Sequence, residues 1–110
     1  MAAAAGAPGD PRVVGERGEG LKIALAGLDA GRLGIAAAST GLAQAATDLA
    51  LKYAAERQQF GKPIAENQGL QFMLADMQAQ TSAARATYLH AARLKDAGKK
   101  FSREAAIAKL

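Results

Sequence analysis

The chain has 110 residues with 14 Lys and Arg against 10 Asp and Glu, a formal net charge of +4, one His and no Cys. That length limits it to one modest core or to a piece of a larger domain, and the lack of cysteine excludes disulfides, thiolate metal sites and cysteine nucleophiles. The basic excess permits an anionic partner, but charges of both signs alternate along the chain and no basic run is interleaved with aromatics, so nucleic acid is not an expected partner.

In chain order, residues 1–17 are rich in Ala, Gly, Pro and charge and read as a disordered tail and linker. Met1 to Gly9 lack the basic start and long apolar stretch of a secretory signal. No segment approaches the roughly 20 uncharged apolar residues that span a bilayer, so a soluble, cytoplasmic chain without membrane insertion is expected. Residues 18–110 form the structured part.

From about Glu19 to Arg57 no proline intervenes, and a four-three spacing runs through Leu21, Leu25, Leu28, Arg32, Ile35, Ser39, Leu42, Ala46, Leu49 and Tyr53. This predicts one amphipathic helix of about 60 Å, with that series facing inward. Gly27, Gly31, Gly34 and Gly41 lie inside it, each unfavourable by roughly 1 kcal/mol relative to Ala. The seven-residue spacing of Gly27, Gly34 and Gly41 predicts the close approach of a neighbouring helix, with a thin wall beside a ligand cavity as the alternative.

The segment from Gln58 to Ile64 breaks the pattern, Gly61 being read as a helix terminator and Pro63 as a first-turn residue of the next helix. Leu70, Leu74, Met77, Thr81, Ala84, Tyr88 and Ala91 then repeat the four-three spacing and predict a second helix to about Asp96, stopped at Gly98. Ser102 is placed to cap a third helix, with Glu104 complementing its dipole. Phe60, Phe72, Met73 and Met77 read as core, His90 as a structural residue, and Asp48, Glu56, Asp76 and Glu104 as surface or ion-pair groups with no pairing suited to acid–base work. Arg57, on residue type alone, is a solvated charge.

The predicted fold class is therefore all-α: two long antiparallel helices plus the start of a third. Such a hairpin cannot bury all of its apolar surface alone, which predicts self-association into a homo-oligomer or packing against further chain.

Three strings carry a family likeness: Leu28-Asp29-Ala30-Gly31-Arg32-Leu33-Gly34-Ile35-Ala36 with Gly41-Leu42-Ala43-Gln44; Tyr53-Ala54-Ala55-Glu56-Arg57-Gln58-Gln59-Phe60-Gly61-Lys62-Pro63-Ile64 with Gln68; and Leu74-Ala75-Asp76-Met77, continued by Ala105-Ala106-Ile107-Ala108-Lys109-Leu110. In this order and spacing, over about Gly15 to Leu110, the chain resembles the acyl-CoA dehydrogenases of the short-chain (butyryl) type. The matched region is the first part of their C-terminal four-helix bundle. The resemblance implies an FAD flavoenzyme, usually a homotetramer, that oxidises the Cα–Cβ bond of a fatty acyl-CoA and passes electrons to an electron-transferring flavoprotein.

Carried over by position, Asp29, Ala30, Gly31 and Arg32 are implied to contact acyl-CoA, a structural ion pair between Asp29 and Arg32 being the other reading. Arg57 and Gln68 are implied to reach the FAD of a neighbouring subunit through guanidinium and amide donors. No catalytic base is matched: one branch of the family carries a glutamate directly before the arginine, where this chain has Gly31, and the glutamate motif used by the others lies beyond Leu110. No metal site is expected. The expected role is thus a fragment of the flavoenzyme, inactive alone, with a non-catalytic helical oligomerisation module as the alternative and a membrane-surface helix as a third reading disfavoured by the mixed charge of the polar faces.

Overall fold

A computed structural model describes residues 10–110; residues 1–9, most of the expected tail, lie outside the described residues. Helix α1 runs Gly20–Glu56, a two-residue ladder pairs β1 (Gln58–Gln59) with β2 (Lys62–Pro63), a 3-10 turn covers Ile64–Glu66, α2 runs Gln68–Asp96 and α3 runs Ser102–Lys109. Both long helices fall where the spacing places them, antiparallel, and α3 packs against each of them. The all-α expectation holds, the ladder being part of a turn.

That turn differs from its expected form. Helix α1 stops at Glu56, where Arg57 turns extended at φ −72°, ψ 122°. Gln59 pairs with Lys62 across a two-residue loop, Phe60-Gly61, whose φ values of 52° and 78° are both left-handed. Two successive positive φ values define the tight turn whose twist suits antiparallel strands. Gly61 therefore makes the hairpin rather than ending the helix, and Pro63 closes β2 five residues before α2 begins. Phe60 sits at the tip, 98% exposed, in a conformation that β-carbon sterics disfavour by about 1–2 kcal/mol.

The end of α2 follows the expected glycine stop. At Gly98, φ 66°, the Gly98 N–H donates to the Lys95 carbonyl and the Lys99 N–H to the Leu94 carbonyl, both at 2.9 Å. These two bonds satisfy carbonyls that a helix end leaves open.

The core is thin and made of small side chains. Leu33, Ala36 and Ala54 of α1, Leu74 and Ala91 of α2 and Ala105 of α3 are the buried apolar residues, joined by Thr40, Thr47 and Thr81. Each threonine hydroxyl donates at 2.8 Å to the carbonyl four residues back, Ala36, Ala43 and Met77 respectively. Tied back in this way, the hydroxyls are satisfied within their own helices. Small residues let the helix backbones approach, and the radius of gyration, 22.6 Å, is far above the ~13 Å of a compact domain of this length.

On α2 the predicted stripe is the packed one, with Leu74, Thr81 and Ala91 buried, Leu70, Met77 and Tyr88 partly so, and Ala84 exposed. On α1 it is not. The buried positions Leu33, Ala36, Thr40, Thr47 and Ala54 lie one residue after the predicted series, a rotation of about 100°. Leu21, Leu25, Leu28, Ile35, Leu42, Leu49 and Tyr53 are all exposed. The glycine expectation fails with it: a Cβ at Gly27, Gly31, Gly34 or Gly41 would meet nothing within 4 Å. Phe60, Phe72 and Met73 are likewise exposed rather than core, because their faces have no partner among the described residues.

Candidate functional site

The six candidate residues fall into two patches. The first centres on Asp29 and Arg32, one helical turn apart on α1, where Arg32 Nη1 donates to Asp29 Oδ1 at 2.8 Å. Their side chains are 16% and 39% exposed, Asp29 the more covered. The cover comes from α3, whose first residue, Ser102, donates its hydroxyl to the other carboxylate oxygen, Asp29 Oδ2. Ser102 therefore does not cap α3: the residue before the helix is Phe101, which makes no side-chain cap. Arg32, expected on an inward seam, lies at the edge of the packed face, half-buried and paired. Ala30 and Gly31 are exposed beside it, and Gly31 has open space where a side chain would stand.

The second patch is the hairpin end. Arg57 closes α1 and Gln68 opens α2, and the hairpin folds them to the same end of the rod. Both are exposed. Among the described residues neither side chain is in a hydrogen bond or ion pair, so the guanidinium and the amide keep their donors. From Asp29 to Arg57 along a straight helix is about 40 Å at 1.5 Å per residue. One ligand pocket of a few hundred Å3 does not cover that distance.

Elsewhere the chain offers little chemistry. Asp48 accepts from Gln44 at 2.8 Å, Glu56 lies 4.0 Å from Lys52, and no cluster of three or more potential metal ligands occurs among the described residues. A cavity of about 480 Å3 opens between α1, α2 and the end of α3, lined by residues such as Ala36, Thr40, Thr47, Thr81, Ala84 and Leu110. None of the six candidate residues lines it, and its walls are mostly apolar. Among the described residues no helix is long and apolar enough to cross a membrane.

The sequence model described as "Acyl-CoA dehydrogenase, C-terminal domain" matches residues 18–110. The chain belongs to the acyl-CoA dehydrogenase family. Its similarity is to the short-chain, butyryl type: it is 49% identical to the solved butyryl-CoA dehydrogenase from Megasphaera elsdenii, with a TM-score of 0.83 over 86% of this chain and 24% of that one. Against the acryloyl-CoA reductase (NADH) of Anaerotignum propionicum it is 51% identical over 98 residues, 89% of this chain and 25% of the relative. A chain solved in work on the electron transferring flavoprotein of Acidaminococcus fermentans matches at 51% identity, TM-score 0.84, over 86% of this chain and 25% of that one. This acyl-CoA dehydrogenase chain thus spans about a quarter of the length of the relatives it matches.

Sequence reasoning missed Ser102. Its partner is 73 positions away, and neither residue's neighbours in sequence signal the contact.

Proposed function

We propose that the chain is the part of an FAD-dependent, short-chain acyl-CoA dehydrogenase that offers Asp29, Ala30, Gly31 and Arg32 to an acyl-CoA and Arg57 and Gln68 to the flavin cofactor of an adjoining subunit. The observation that carries this reading is the separation of the two patches along the length of α1, about 40 Å from Asp29 to Arg57 just past the helix end. Two donor patches so far apart suit two different sites, one formed with the chain's own subunit and one across a subunit boundary.

The residues fit those roles chemically. Arg32 uses one N–H on Asp29 and keeps its other donors, which suits a thioester carbonyl or a phosphate. Arg57 and Gln68, exposed at one end of the rod, fit an edge contact to an anionic dinucleotide: a guanidinium fork for phosphate and a neutral amide beside it. FAD, when bound, supplies the hydride-accepting chemistry of the family; these residues bind and orient. Among the described residues Asp29 is the carboxylate beside Arg32, and it is occupied with Arg32 and Ser102, so this patch offers no unengaged carboxylate to take the α-proton. Electrons would pass onward to an electron-transferring flavoprotein.

Catalytic silence of the 110-residue chain follows. Purified chain mixed with FAD, butyryl-CoA and a dye acceptor should show no stoichiometric flavin absorbance and no turnover; yellow protein that turns over overturns the reading.

A second reading has its own observation. The exposed aliphatic line of Leu21, Leu28, Ile35, Leu42 and Leu49, one residue every seven, suits helix–helix association, as in a non-catalytic oligomerisation module. Light scattering after size exclusion separates the two: a discrete oligomer without affinity for butyryl-CoA favours the module.

A further inference from the structure

Helix α1 is packed along most of its length, but not at its start. Residues 20–28 are all exposed, and the first buried residue of the helix is Leu33. Ile23 touches the leading segment at Gly15, its Cδ1 lying where a β-carbon on that glycine would stand. The Lys22–Glu19 pair, 3.3 Å long with the lysine side chain 82% exposed, adds little in water. An unpacked helix shorter than about 12–15 residues is marginal, so this stretch stays wound mainly as an extension of the packed part.

Its own first turn gives it little help. Glu19, the residue before the helix, makes no side-chain cap bond, and the first turn carries no acid. The N–H groups there, and the positive end of the helix dipole, go uncompensated by side chains. Gly27, with open space where a side chain would stand, weakens the stretch further, because glycine gains more freedom than any other residue on leaving a helix.

The weakness ends at Asp29. Its side chain is 16% exposed, tied to Arg32 within α1 and to Ser102 of α3. Aspartate is also among the residues best suited to precede a helix, whereas glutamate is not. The chain therefore holds two starts for α1: an uncapped one at Glu19, and a cap-competent one at Asp29 that α3 anchors from outside the helix.

We infer that residues 20–28 are an arm that unwinds as one unit, with Asp29 as the stop. In the opened form Asp29 precedes the helix, and the N–H groups of Ala30, Gly31 and Arg32 lose their acceptors, the carbonyls of Ala26, Gly27 and Leu28. The opening thus changes the backbone donors beside Arg32 while the bundle from Leu33 onward stays folded. Openings of this kind lie below the free energy of global unfolding and are populated in the native protein.

The test is amide hydrogen exchange, read residue by residue on the 15N-labelled 110-residue chain. Amides 24–32 should share one protection level, on the order of a hundredfold below that of amides 40–54, with a step at Leu33, whose N–H bonds to the Asp29 carbonyl. Gly27→Ala should slow exchange of amides 24–32 about fivefold, the propensity difference between the two residues, and leave amides 40–54 as they are. Asp29→Ala should move the step beyond Leu33 and speed exchange of amides 33–36 about fivefold. Asp29→Asn, which can still cap and still accept from Ser102, should keep the step at Leu33. Unchanged protection at amides 40–54 reports that the bundle of each variant is intact, and the profile of the parent chain is itself decisive if a variant fails to fold. Protection that rises gradually from Gly20 with no step overturns the inference, as does an arm as protected as amides 40–54, or a step that stays at Leu33 in Asp29→Ala.

Discussion

Helices α1 and α2 carry the same four-three spacing in sequence, yet only on α2 does the spaced series form the packed face. In α2 the series mixes large and small residues, and Leu74, Thr81 and Ala91 are buried while Ala84 is exposed. In α1 the series takes the large aliphatics, while the neighbouring line one residue on holds Ala36, Thr40, Thr47 and Ala54, which let α2 and α3 come close. The difference teaches that the face of greatest apolar bulk need not be the face nearest the next helix. Close approach selects small side chains, and the bulkier line of α1 is left exposed among the described residues.

The comparison can be broken first where the effect is largest. Leu74→Ala on the packed face of α2 should destabilise the chain by about 2–4 kcal/mol through lost burial and a residual cavity, measured by urea unfolding. Leu42→Ala on the open face of α1 should shift stability by less than about 0.5 kcal/mol. Equal losses at the two sites would show that the aliphatic line of α1 is already covered in solution.

Next in size is the hairpin joining the two helices. Gly61→Ala places a β-carbon at φ 78° and should destabilise by about 1–2 kcal/mol, whereas Phe60→Asn should stabilise by a few tenths to about 1 kcal/mol because asparagine tolerates the left-handed region. Thermal unfolding followed by circular dichroism reads both, and a neutral Gly61→Ala would mean that the turn is not held in this form. Smaller still, Gly34→Ala, with nothing within 4 Å of the added carbon, should stabilise α1 by up to about 1 kcal/mol by helix propensity. A loss instead would reveal a helix or ligand against that face.

The sequence carries the fold class, both helix spans, the glycine stop at Gly98 and the family, because periodicity and motif order are local properties. It does not carry the rotation of α1, because heptad spacing reports which residues share a face and not which face meets which neighbour. The break between the helices at Gly61 was legible, but its place in a two-residue hairpin loop was not, nor was the left-handed Phe60 beside it, since nothing in phenylalanine's own preferences asks for φ 52°. Asp29 and Arg32 stand out through the family resemblance, with their ion pair as the other reading, and that pair is present. Ser102 could not join them, because that contact depends on how α3 packs against the long helices, and the side chains of Arg57 and Gln68 have no hydrogen-bond or ion-pair partner among the described residues.

The central claim is that the α1 patch around Arg32 and the hairpin patch around Arg57 serve different ligands, and amide chemical-shift mapping of the 15N-labelled chain during a butyryl-CoA titration tests it most directly. The expected result is saturable shifts concentrated at residues 29–32 and the adjoining start of α3, with Arg57 and Gln68 unmoved. Shifts centred on the hairpin, or none at residues 29–32 at saturating ligand, would contradict it.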